Sequence, residues 1–127
     1  MTFRLPKSPT VVRVAPKRVH VYTGRLASYA SAYPPANGYF LKIPLTLAGL
    51  GPGTWQIDRL AFVIHAGGRT VDVNSGNGGF SGASHVLTST FLDKGDVDKT
   101  NLVIDSPASH GVMSYEPKGK LACSWTF

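Results

Sequence analysis

Thr54-Trp55-Gln56-Ile57-Asp58-Arg59-Leu60-Ala61-Phe62-Val63-Ile64-His65 is the stretch that decides the fold class. Trp55 and Ile57 alternate with polar residues, and from Leu60 the run turns continuously apolar. That is the pattern of a strand entering the buried centre of a sheet. Turn residues bound it, Gly51-Pro52-Gly53 before and Gly67-Gly68 after. Its neighbours share the period. Upstream, Tyr39-Phe40-Leu41-Lys42-Ile43 is strand-like and runs through Pro44 into Leu45-Thr46-Leu47. Pro44 predicts an edge strand or a bulge, because proline has no N–H to give a ladder. Further upstream, Thr10-Val11-Val12-Arg13-Val14 and Val19-His20-Val21-Tyr22-Thr23 are short β-branched runs. Downstream, residues 69–73, 85–88, 102–104, 111–115 and 121–127 complete the set, separated by the Asn74-Ser75-Gly76-Asn77-Gly78-Gly79 loop and turns at Pro107 and Pro117.

No segment holds apolar residues at helical spacing over three turns without a glycine or proline intervening. Short helical turns at 27–32 and 88–94 are the only helical readings retained. Many short strands spaced by turn signals predict an all-β chain, an antiparallel β-sandwich or barrel.

Composition agrees. At 127 residues the chain holds one domain, and 43% hydrophobic against 16% charged residues excludes a disordered or coiled-coil protein. Cys123 is the single cysteine and sits in an apolar run, so a disulfide-stapled domain is excluded and a packed thiol is expected. Leu60-Ala61-Phe62-Val63-Ile64 is far too short to cross a membrane as a helix. No apolar leader is visible in the first residues, so a soluble chain in a reducing compartment is expected.

The charge is uneven. The net charge is +6, yet residues 1–57 hold seven bases and no acid, while 58–127 hold six bases and seven acids. Arg4, Lys7, Arg13, Lys17, Arg18 and Arg25 crowd the first segment, interleaved with Pro6, Pro9 and Pro16, and Lys42 extends the set. With no carboxylate nearby in sequence, these bases point to a polyanion, bound through phosphates without sequence preference. The reading is a basic arm over 1–18 followed by a β-sandwich domain over 19–127. Nearby aromatics (Phe3, Tyr22, Tyr29, Tyr33, Tyr39, Phe40) are candidates for stacking on bases.

Other motifs carry less. Gly79-Phe80-Ser81-Gly82-Ala83 comes close to a nucleophile elbow, with His85 and Asp105 downstream. The last glycine is replaced and no helix follows, so loop composition explains it better. Asp105-Ser106 with Ser109-His110 offers another serine, histidine and acid, but adjacent strand positions point to opposite faces. His20, His65, His85 and His110 lack metal-ligand spacing, and His65 reads as a satisfied structural residue at the end of a buried strand. Asp93, Asp96 and Asp98 around Gly95 form an oxygen-rich turn, read first as a solvated acidic turn and second as a Ca²⁺ site. No constellation supports a catalytic mechanism, so a non-enzymatic protein is expected.

The final segment, Lys118-Gly119-Lys120-Leu121-Ala122-Cys123-Ser124-Trp125-Thr126-Phe127, resembles the last strand of single jelly-roll capsid proteins of small icosahedral viruses. The run from Trp55 to Ile64 is similar to a central strand of the same domains, and the basic arm fits as well. The resemblance implies a jelly-roll-like sandwich with very short loops. It also implies self-assembly of many copies, an arm facing packaged nucleic acid, most simply RNA, and acidic loops at subunit contacts that bind Ca²⁺. The chain would then be a coat protein of a virion, assembled in the host cytoplasm, with no membrane partner. Two other readings share parts of the pattern: a small single-stranded nucleic-acid-binding β-barrel, and a phage spike or carbohydrate-binding sandwich using the 74–82 loop.

Overall fold

A computed structural model describes residues 2–4, 11–27 and 32–127. Its centre is β4 (Tyr39–Gly51), where Leu41, Ile43, Leu45 and Leu47 are buried on one face and Lys42, Pro44, Thr46 and Ala48 sit half-buried on the other. On one side β4 pairs with β9 (Val97–Ser106), from Tyr39 opposite Ser106 to Ala48 opposite Val97. On the other side it pairs with β2 (Val11–Pro16) and then β3 (His20–Tyr22), which lie end to end. Outside β2 runs β1 (Thr2–Arg4), with Arg4 opposite Val11.

Pro44 therefore lies in a central strand and not at an edge. The reason is local. Its carbonyl accepts the Lys17 N–H at 2.8 Å, so its donor-less nitrogen faces the same side. That side is where β2 has ended and β3 has not begun. The neighbouring strand is interrupted where β4 has no proton to give.

The 54–65 stretch is likewise not one strand. It divides into β5 (Trp55–Asp58) and β6 (Phe62–Ala66), separated by a 3₁₀ turn over Arg59–Ala61. Asp58 makes the break: its carboxylate accepts the Leu60 N–H at 2.8 Å, offering the backbone a turn in place of a ladder. Leu60, read as buried, is 46% exposed in that turn. The expected helical turn at 88–94 is instead β8 (Ser89–Leu92), and the one at 27–32 falls largely on 28–31, outside the described residues. Residues 85–88 contribute only a single bridge, Val86 beside Asn101.

The β4–β9 ladder does not stop at its end. Both strands turn together through 49–54 and 93–96, then pair again as β5 with β8, Trp55 opposite Leu92. At this corner Gly49 donates to the Asp96 carbonyl at 2.9 Å and accepts from Gly95 at 2.8 Å. A side chain on Gly49 would run into the Asp93 backbone, so only glycine allows the two chains to cross so closely. One two-stranded ribbon is folded over.

The second large sheet has the order β11 (Cys123–Thr126), β10 (Val112–Tyr115), β6, β7 (Arg69–Val71). All ladders between the described strands are antiparallel. A single core joins both large sheets and the ribbon: Val12, Val14 and Ile43 from the first, Phe62, Ile64 and Met113 from the second, Trp55 and Leu92 from the third. Each such side chain stabilises the fold by about 1.5–3 kcal/mol on leaving water. The chain is all-β, arranged as a β-sandwich. Within the stretch read as an arm, Val11–Pro16 is a sheet strand with Val12 and Val14 fully buried.

Candidate nucleic-acid interface

Cross-strand pairs in an antiparallel sheet project from the same face. The face of the first sheet turned away from the core therefore carries, in successive rows, Arg13–Ala48–Val97, Ala15–Thr46–Lys99, Pro44–Asn101, His20–Lys42–Val103 and Tyr22–Phe40–Asp105. Arg13, His20 and Lys99 are exposed, and Lys42 is half-buried. In these rows the one carboxylate is Asp105, and it is fully buried. The face is basic at one end and sealed at the other.

Asp105 explains the seal. Its carboxylate accepts the backbone N–H groups of Ala36 at 2.6 Å, Asn37 at 2.8 Å and Asn77 at 2.8 Å. Its own carbonyl accepts the Asn37 side-chain amide at 3.0 Å. One buried carboxylate thereby ties the loops around residues 36–37 and 77 to the end of β9. Gly76, at φ +52°, passes so close to the carboxylate that a Cβ would collide with it. Asp105 is thus committed to architecture and offers nothing to a histidine.

The remaining bases lie elsewhere. Lys17 and Arg18 occupy the interruption between β2 and β3 and line a groove of about 390 Å³ together with His110, Met113, Trp125 and Phe127. This groove opens between the edge of the first sheet and β11. Arg25 is exposed in a loop whose next residue, Leu26, donates to the Ser81 carbonyl at 2.9 Å. Arg4 ends β1, and Lys7 lies outside the described residues. The predicted bases are therefore divided: Arg13 and Lys42 share the open face, Lys17 and Arg18 share the groove, and Arg25 stands apart. Sequence reasoning missed Lys99 and His20. Lys99 belongs to the half with the acids, and only the register that sets it opposite Thr46 brings it to the basic face.

The serine motifs do not assemble. Ser81 is buried, its hydroxyl accepting the Ala83 N–H at 3.2 Å within a loop. Ser106 donates to the Ala108 carbonyl at 2.7 Å. His85 is exposed and its carbonyl accepts from Asn101 at 2.9 Å. His65 is exposed on β6, not buried; it lies 3.0 Å from the Thr70 hydroxyl and 3.7 Å from the Glu116 carboxylate.

The acidic turn is largely self-contained. Asp93 accepts from the Thr54 hydroxyl, and the Asp96 carboxylate accepts the Asp93 N–H at 2.8 Å. Asp98 is half-buried on β9, opposite Leu47. Among the described residues, no three histidine, cysteine or acidic side chains converge as a metal site. No helix of the described residues is long and apolar enough to cross a membrane.

Two further buried groups are titratable but structural. The Trp55 indole N–H donates to the Tyr115 hydroxyl at 3.1 Å inside the core, and the Tyr115 ring lies 4.7 Å from that of Phe62. Burial pushes the Tyr115 phenol up to about 12, with the Trp55 bond opposing the shift. Burial likewise raises the Cys123 thiol, which is packed as expected.

No protein-family model, curated protein or solved structure matches the chain.

Proposed function

We propose that this chain is a structural coat subunit: many copies self-assemble into an icosahedral shell, and the basic half of each contacts packaged nucleic acid, most simply RNA. The observation that carries the reading is the basic sheet face of Arg13, His20, Lys42 and Lys99, whose rows hold one carboxylate, the buried Asp105 at the far end. Such a face binds phosphate by releasing counterions, which is sequence-tolerant and steeply salt-dependent. Large apolar side chains outside the core also favour assembly, since Phe91 is 66% and Leu121 65% exposed. Contact with other copies would cover them. The finer fold we read as jelly-roll-like, on the strength of the ribbon folded over at the 49–54 corner. A virion is the corresponding location.

The test is expression of the chain beside a variant with Arg13, Lys17 and Arg18 changed to glutamine. Absorbance at 260 against 280 nm, size exclusion and negative-stain images are then compared. Large closed particles rich in nucleic acid are expected from the parent and nucleic-acid-poor material from the variant. Packaging that does not change across a salt titration would falsify the reading. A second reading, a small single-stranded nucleic-acid-binding module, is favoured by the Lys17–Trp125 groove. It predicts a small species that retains nucleic acid.

A further inference from the structure

We propose that the groove between the β2–β3 interruption and β11 takes one unpaired base of a single-stranded nucleic acid, stacked on Trp125, with the neighbouring phosphates on Lys17 and Arg18. This rests on the reading of the basic half as a nucleic-acid interface and names the part of the ligand that one site receives.

Three observations converge on it. Trp125 lies opposite buried Met113 on the edge strand β11 and packs in part against the core, so its ring is held while it lines the groove. A ring held in this way stacks a base at little entropic cost, and every base presents a suitable face. Lys17 and Arg18 line the same groove, and their backbone is pinned by the Lys17 N–H bond to Pro44. Exposed cations and a half-buried aromatic ring lining one groove match a nucleotide's own division into phosphate and base. The groove, at about 390 Å³, falls in the lower part of the range that holds small organic ligands. A duplex keeps its base faces stacked inside the helix, so it would reach the cations and leave the tryptophan untouched.

The chain's two tryptophans make the test direct. Trp55 is buried and bonded to Tyr115, so a change in emission on binding reports Trp125. The full chain is titrated with oligo(dT) of about 16 nucleotides and with a duplex of equal length. Single strands are expected to quench emission and duplex to leave it unchanged. Trp125→Leu should weaken single-strand binding by about tenfold, while Trp125→Phe retains most of the affinity without the quench. Lys17→Gln with Arg18→Gln, both exposed and outside the core, should lower affinity and reduce the salt slope by about two. That pair and the parent's quench decide the matter if Trp125→Leu does not fold. Oligonucleotide binding with unchanged emission and a wild-type Trp125→Leu would overturn the groove as the site and leave the basic face standing. Equal quenching by duplex would overturn the preference for an unpaired base. Failure to bind any oligonucleotide would overturn both this inference and the function it rests on.

Discussion

The two ends of one face of the β4–β9 ladder treat charge in opposite ways. At the Phe40–Asp105 end a carboxylate is fully buried beneath two loops and accepts three backbone N–H bonds. At the Ala48–Val97 end Arg13 and Lys99 are exposed at the surface in rows with alanine, threonine and valine. A charge can be buried when donors are organised around it; otherwise it stays at the surface. The loops that cover one end are recruited by Asp105. Among the described residues, no buried carboxylate gathers loops over the other end.

Breaking the anchored end should have the largest effect. Asp105→Ala leaves three amides without their acceptor and is expected to cost about 3–5 kcal/mol, read as a fall in urea midpoint. A stability within experimental error of the parent would show that the loops hold themselves. Gly76→Ala attacks the same closure from outside. Its positive φ and the approach to the carboxylate predict a loss of about 2 kcal/mol, with Asn77 and Ala36 amides exchanging faster with solvent.

Tyr115 sharpens the contrast with a group buried in its neutral form. Its folded value is raised to about 12 against an ordinary 10.0. Its contribution is therefore complete below pH 10 and is lost as the pH rises toward 12, by about 2–3 kcal/mol in all. Tyrosinate absorbance should rise in two stages, the second coinciding with loss of near-ultraviolet dichroism. A phenol that ionises with the exposed tyrosines and leaves the fold intact would contradict this.

The open end should respond least in stability and most in binding. Lys99→Gln is expected to shift stability by less than about 0.5 kcal/mol and to lower the salt slope of nucleic-acid binding by about one. A change in the urea midpoint with an unchanged slope would mean that Lys99 supports the sheet and does not serve a ligand.

Much of this was legible in the residues. Period-two alternation in 39–47 marks the inward Leu41, Ile43, Leu45 and Leu47, and the core contains all of them. Asp58 could have been read as a break, since an aspartate competes locally for the backbone, but the apolar run after it was the louder signal. Pro44 misled because its effect was taken up by the neighbouring strand and not by its own. Asp105 figured in the sequence only as the acid of two serine motifs that were set aside, and its observed role needs loops from residues 36 and 77 that sequence spacing cannot align.

The sequence by itself determined that the chain is all-β, that Cys123 is packed and that positive charge is concentrated before residue 58. Those properties follow from local pattern and composition. Only the tertiary structure decided that the bases divide between an open face and a groove, that Lys99 joins the first group and that Trp125 joins the second. Face and neighbour are set by cross-strand register and by how two sheets meet, and both depend on contacts between residues far apart in the chain.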